Sequence, residues 1–202
     1  MAHTYQTVVI LDYGSQYTQL IARRIRELGI YSVILPGDAK LERIEGYSPK
    51  AVILSGGPNS VYEEGAPTLP AGFLTKQESA KLPTLGICYG MQLLAKDLGG
   101  RVEKGDTREY GRMEVIGDCG KRFFAWMSHG DEVKEVPPGF DCASKSAQGK
   151  VASMFNDDRK IYGLQFHPEV THTENGIEFL KEFLLKQANI QPDWNMGSVL
   201  DE

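Results

Sequence analysis

Cysteine is scarce in this 202-residue chain: three residues, Cys88, Cys119 and Cys142, with no short spacing between any two. That count and spacing exclude a disulfide framework and a Cys-based zinc site. Positive charge is also in deficit, with 22 Lys and Arg against 27 Asp and Glu and a net charge of -5. Such a balance excludes a surface built to neutralise nucleic-acid phosphates or anionic lipid. No apolar run reaches the roughly 18 residues of a membrane span, and "MAHTYQTVVI" has no signal-peptide pattern. Internal repeats, low-complexity tracts and the phosphate-loop pattern G-x-x-x-x-G-K-[ST] are missing too. The expectation is a soluble, cytoplasmic domain with no nucleic-acid or membrane partner and no metal.

What is present is enough apolar residue, 41%, for one substantial core. "TVVIL" (7–11), "YSVIL" (31–35), "AVILS" (51–55) and "TLGI" (84–87) are short, β-branched and continuous rather than alternating. They read as parallel strands buried on both faces. Between the first two lies "SQYTQLIARRIRELG", whose Tyr17, Leu20, Ile21, Ile25 and Leu28 share one helical face, with Gly29 at the C-terminal cap. Strand, helix, strand at this spacing is a βαβ unit. Beyond Gly100 the texture changes: "RMEVI", "FFAWM", "KVASMF" and "IYGLQF" follow closely without long helices between, as antiparallel or mixed strands would. "ENGIEFLKEFLLKQA" is the last helix. The predicted fold is an open, mostly parallel twisted α/β sheet with helices on both faces and added antiparallel strands.

Gly86-Ile87-Cys88-Tyr89-Gly90 stands where the fourth strand gives way to a helix, and it has the form of a nucleophile elbow. The tight turn strains its central residue, small flanking residues let neighbouring chain pass closely, and the helix N-terminus favours a thiolate. Cys119 and Cys142 lack that context. A thiolate nucleophile needs a base, and His167 follows a predicted strand with Glu169 two residues on, placed to orient an imidazole. Backbone N–H groups of Tyr89, after the nucleophile, and of Gly57, in "SGGPNS", are the candidate oxyanion donors. A nucleotide phosphate loop is the competing reading of "SGGPNS", but Pro58 removes an N–H that such a loop would use.

"GICYGMQ", "SGGP", "WMSHGDEV" and "QFHPEVTHT" together resemble the class I (triad) glutamine amidotransferase domain, over nearly the whole chain. Tyr89 and Met91 in the elbow, "REYG" at 108–111 and "HPEVTHT" resemble the glutaminase domains of GMP synthetases (glutamine-hydrolysing) more narrowly. The resemblance implies that Cys88, His167 and Glu169 form the triad converting L-glutamine to glutamate and ammonia. It implies that Gly57 and Tyr89 form the oxyanion hole, and that Gly57, Pro58, Gln92 and the loop Ser128, His129, Gly130 and Asp131 meet glutamine. His129 then orders its loop, and His172 is structural or interdomain. It further implies an ATP pyrophosphatase (synthetase) domain, in cis or as a separate chain, where ATP and Mg2+ would act on xanthosine monophosphate; no cofactor is expected in this domain. A homodimeric full-length enzyme is one assembly open to it. Residues 1–188 correspond to the amidotransferase domain, and 189–202 to a tail leading toward the synthetase domain. "EVIGDCGKRFFAWM" is shorter than the family usually has between those strands. The rival readings are a class I glutaminase of another pathway, such as anthranilate synthesis, and a catalytically silent regulatory module on the same fold.

Overall fold

A computed structural model of the chain describes residues 5–195. His3 and the stretch 196–202 lie outside the described residues. The buried apolar runs form strands β1 (Thr7–Asp12), β2 (Tyr31–Pro36), β3 (Ala51–Leu54) and β4 (Thr84–Ile87). The sheet continues through β5 (Arg101–Gly117), β6 (Arg122–Glu135), β7 (Asp141–Ser146), β8 (Val151–Asn156) and β9 (Ile161–Leu164). All nine lie in one sheet in the order β2-β1-β3-β4-β9-β8-β7-β5-β6. The first five in that order pair in parallel, and the rest are joined by antiparallel pairs. A parallel core with an antiparallel extension is the architecture expected from the change in texture after Gly100.

Helices cover both faces of the parallel half, and alternate residues of each strand serve alternate faces. Val8, Ile10 and Ile53 pack with Ile21, Ala22 and Ile25 of α1 (Thr18–Glu27) and with Leu180 of α5 (Gly176–Lys181). Val9, Leu11, Val52 and Leu54 pack on the other face with Phe73 of α3 (Phe73–Ala80) and Met91 and Leu94 of α4 (Tyr89–Asp97), while Ile44 of the short α2 (Leu41–Glu45) closes its edge. Continuous apolar strands result because neither face meets water. Gly29 ends α1 with φ +75°, the left-handed cap its position predicted. The last helix runs on from α5 through wider π-type turns over Glu182–Gln187. None of the helices among the described residues is long and apolar enough to cross a membrane.

Two details differ from the sequence reading. The segment Ser128–Asp131, expected as a loop, lies inside β6, where β5 supplies its ladder partners. Strand β7, "DCASKS", has no apolar signature and was not expected; its place between β5 and β8 makes it a strand. The short β5–β6 connection closes as a turn, with the Gly117 N–H donating to Lys121 O at 2.8 Å and Gly120 at φ +78°. Residues just past the last helix fold back on the domain: Ile190 and Trp194 are buried, and the Trp194 N–H donates to Gly29 O.

Candidate active site

The elbow is built by crowding. Cys88 takes φ +51° and ψ −108°, a backbone state that only a well-determined surround maintains in a residue with a side chain. Its N–H donates to Leu164 O of β9 at 2.7 Å, and its carbonyl accepts the Gln92 N–H of α4 at 3.1 Å. A Cβ on Gly86 would sit 2.5 Å from the Gly90 carbonyl carbon, and one on Gly90 would sit 2.4 Å from Leu54 O. The flanking glycines are therefore required by space, as the G-x-C-x-G pattern suggested. Cys88 stands at the carboxyl edge of the parallel strands, where open α/β sheets bind ligands.

Strand β9 delivers the second component. Past its end, the His167 N–H donates to Trp126 O of β6, and the Thr173 hydroxyl donates to His167 O. Gly176 admits this turn, since a Cβ there would lie 2.1 Å from Pro168 O. His167 Nδ1 is 2.7 Å from Glu169 Oε1, and both residues are buried. The ring's other side faces Cys88, while Tyr17, at the N-cap of α1, packs edge-on to the imidazole with centroids 5.1 Å apart. Arg24 holds the main chain here by donating to Glu169 O. The structure thus brings together Cys88, His167 and Glu169, the three residues the sequence offered as nucleophile, base and orienter.

Burial alone would push the His167 imidazole down from 6.5. The Glu169 carboxylate, followed by hydrogen bonding to Cys88, outweighs that and raises it to about 10. A proton held in the folded state to about pH 10 and in the unfolded chain only to about 6.5 stabilises the fold fully below 6.5. This contribution is lost as pH rises from about 6.5 through about 10. His167 should accordingly remain an imidazolium at pH 8 in a proton NMR titration, and Cys88→Ser should bring its titration down. An unchanged titration in that variant would exclude a charge-coupled Cys88–His167 pair.

A cleft of about 890 Å³ opens over the dyad. Of the sequence-predicted residues, Gly57, Pro58, Cys88, Gln92, Ser128, His129, Gly130, Asp131 and His167 all line it. The Tyr89 N–H lies in the first turn of α4, where helical geometry leaves it without an intrahelical acceptor. Gly57 sits where a Cβ would meet Tyr13 O at 2.4 Å, and a Cβ on the preceding Gly56 would approach His167 at 3.1 Å and Cys88 at 3.5 Å. Ser55 was missed by sequence reasoning. Its hydroxyl donates to Gly56 O at 2.8 Å and accepts the Tyr13 N–H at 2.9 Å, so it fixes the Gly56–Gly57 peptide. Gln92 braces the cleft wall as well as lining it, since its Nε2 donates to Asp131 O at 2.9 Å and Gln165 Oε1 at 3.2 Å. The His129 ring is engaged by Glu109 and Asp131 O, and His172 packs at a tilt of 39° against Trp126 with centroids 4.9 Å apart. Cys119 is exposed in the β5–β6 turn, and Cys142 is half-buried in β7, where burial raises its thiol.

A mixed α/β sheet whose cysteine elbow faces a buried His–Glu pair defines the class: an α/β protein with a cysteine at its strand-to-helix elbow. The chain belongs to the class I glutamine amidotransferase family, whose model matches residues 9–187. It is 45% identical to the GMP synthase [glutamine-hydrolyzing] of Brachyspira hyodysenteriae, in an alignment covering 100% of this chain and 40% of that protein. It is 48% identical to the protein of the same name from Thermosipho melanesiensis, covering 98% of this chain and 39% of that one. The chain thus spans about 40% of the length of the curated relatives it matches. Among solved structures, a Thermoplasma acidophilum protein provisionally named as one subunit of a GMP synthase superposes with a TM-score of 0.82 at 28% identity, covering 99% of this chain and 100% of that one. A glutamine amidotransferase from Thermotoga maritima gives a TM-score of 0.65 at 25% identity, covering 94% of this chain and 87% of that one.

Proposed function

We propose that this chain is the glutaminase part of a GMP-forming amidotransferase. It hydrolyses L-glutamine to glutamate and ammonia and passes the ammonia to adenylated xanthosine monophosphate in a synthetase domain. The observation that carries the reading is the Cys88–His167–Glu169 arrangement at the end of β4, beneath a cleft of the right chemistry. The names of the relatives at 45% and 48% identity favour this pathway over another glutaminase pathway. On this reading residues 1–188 are the amidotransferase domain and 189–202 lead toward the synthetase domain, where ATP and Mg2+ act; that domain is joined in cis or supplied as a separate chain. The chemistry proposed here is confined to the cytoplasm.

The Cys88 thiolate attacks the side-chain amide carbon of glutamine, and the N–H groups of Gly57 and Tyr89 hold the developing oxyanion. His167, already an imidazolium, gives its proton to the amide nitrogen as the C–N bond breaks, releasing ammonia and leaving a γ-glutamyl thioester. Neutral His167 then takes a proton from water as the water oxygen attacks the thioester. Collapse of that intermediate breaks the C–S bond, frees glutamate and restores the thiolate–imidazolium pair. Glu169 keeps the ring oriented and its charge favoured throughout. Ser128 to Asp131 are assigned to the amino-acid end of glutamine, and Gly57, Pro58 and Gln92 to further contacts with it.

A glutamine-like electrophile such as a diazo-ketone tests the nucleophile. It should label Cys88 in preference to the exposed Cys119 and half-buried Cys142, with glutamine protecting. Peptide mapping that finds Cys119 or Cys142 modified as fast as Cys88 would overturn the assignment.

A further inference from the structure

The stretch "REYG" (108–111) takes no part in the steps above, yet its first residue lines the cleft. In the β5–β6 pair Lys104 is in register with Asp131 and Glu109 with His129, so Gly105 to Arg108 stand against Gly130 alone. They form a long bulge, and a bulge beside a site re-aims side chains. This one is pinned on both sides of Arg108. The Thr107 hydroxyl donates to Gln148 Oε1 at 2.8 Å, the Lys150 ammonium donates to Thr107 O, and the buried Glu109 carboxylate lies 2.9 Å from His129 Nε2. Arg108 itself lies over β6: a Cβ built on Gly130 would stand 3.7 Å from its Nε and 3.8 Å from its Cγ. Its guanidinium makes no ion pair or hydrogen bond with another described residue. A cation held over the cleft with no protein partner needs an anion.

The dimensions fit glutamine. Cys88 Sγ is 3.6 Å from Ser128 O, so an amide carbon under attack by the sulfur lies beside Ser128. Gly130 is two residues further along β6, about 7 Å at the rise of an extended strand. In glutamine the amide carbon and the carboxylate carbon are four C–C bonds apart, about 5 Å when extended, and a carboxylate oxygen reaches roughly 1 Å more. A glutamine seized at its amide by Cys88 and laid along β6 therefore ends over Gly130, beneath Arg108. The charges agree with that placement. A guanidinium gives a carboxylate two parallel N–H donors, where an ammonium gives one point charge. Lys104, the other cation on this wall, stands opposite Asp131, one residue beyond Gly130. Asp131 brings the opposite sign to the same end of the cleft: its Oδ2 is buried with no hydrogen-bond partner among the described residues, an acceptor for the α-ammonium.

We infer that Arg108 determines specificity for free glutamine: its guanidinium takes the α-carboxylate, so the site selects the amino acid over glutamine whose carboxyl is blocked. The inference rests on the glutaminase reading. The probe is L-glutamine α-amide, which keeps the side-chain amide, the α-amino group and the size but has no carboxylate. Hydrolysis of its side-chain amide yields ammonia and isoglutamine, which chromatography separates from the starting compound. Assays at about pH 6.5 lie below the usual α-amino range of about 7.7, so both substrates carry the ammonium.

The full 202-residue chain should prefer L-glutamine to its α-amide by roughly tenfold to a hundredfold in kcat/KM, the range of a hydrogen bond between charged groups. Arg108→Met should raise the KM for glutamine by about that factor, change kcat less and leave the α-amide nearly unaffected, so the preference collapses toward one. Arg108→Lys keeps the charge without the fork and should fall between the two. Lys104→Met should keep the wild-type preference. A purely structural role for Arg108 would slow both substrates alike and leave their ratio unchanged. A wild-type chain that uses both compounds equally overturns the inference, whether or not a variant folds. So does an Arg108→Met protein that retains the preference, or a Lys104→Met protein that loses it. A wild-type chain that releases no glutamate from glutamine sinks the glutaminase reading, and the inference with it; active wild type beside Arg108→Met of unchanged preference sinks the inference alone.

Discussion

His167→Ala is expected to lower glutamine hydrolysis by roughly three or more powers of ten, while Glu169→Gln loses less. The asymmetry follows from the number of roles each residue has. In the proposed mechanism His167 donates a proton to the departing ammonia and takes one from the attacking water, and the other histidines among the described residues are engaged elsewhere: His129 with Glu109, and His172 against Trp126. Glu169 is proposed to act only through His167, by one hydrogen bond of 2.7 Å and by its charge. A glutamine amide can still accept the Nδ1–H, so orientation survives and the loss is that of the charge. The check is steady-state glutamate release, with circular dichroism to establish that each variant folds. Near-wild-type turnover in both variants would remove the triad from the mechanism. A Glu169→Gln loss exceeding that of His167→Ala would reverse the roles given to the two.

The parts of this site that could be read in the sequence are those carried by neighbours in the chain. Cys88 is framed by Gly86 and Gly90, and His167 and Glu169 are two residues apart, so both motifs show their form within one short stretch. The parallel strands were legible for a similar reason: β1, β3 and β4 are buried on both faces, which selects continuous apolar runs. Strand β7 was not, because its buried positions are filled by Ser144 and Ser146, which pair with strand neighbours and hydroxyls instead of adding hydrophobic pattern. "SHGD" has the composition of a loop, and only the long β5 beside it makes it strand. The Glu109–His129 pair was invisible because it depends on the register of two strands beyond a bulge, twenty residues apart in sequence. Ser55 read as the last residue of a strand; its hold on the Gly56–Gly57 peptide appears only when Tyr13 is brought beside it.

The elbow glycines give the other large effect. Gly90 is not in a left-handed conformation, so alanine could adopt its backbone without penalty; the requirement is one of room. A Cβ there would meet three atoms of Leu54, the nearest its carbonyl oxygen at 2.4 Å, and that atom belongs to the fully buried strand β3. Backbone in a central strand cannot swing aside as a side-chain tip does. Helix α4 would have to lift from the sheet, and its N-terminus carries both Cys88 and the Tyr89 N–H. Gly90→Ala should therefore destabilise the domain by about 3 kcal/mol or more, and the diazo-ketone labelling of Cys88 should slow sharply even at temperatures where the variant remains folded. Gly65→Ala is the matched control: Gly65 has φ +76° with nothing within 4 Å of a Cβ, so it isolates the conformational penalty, about 1 kcal/mol, and it should label normally. Urea unfolding midpoints and labelling rates measured on the two variants separate the effects. A Gly90→Ala protein as stable as Gly65→Ala would mean that α4 can move off β3 easily, and the elbow would then owe its geometry to something other than close packing.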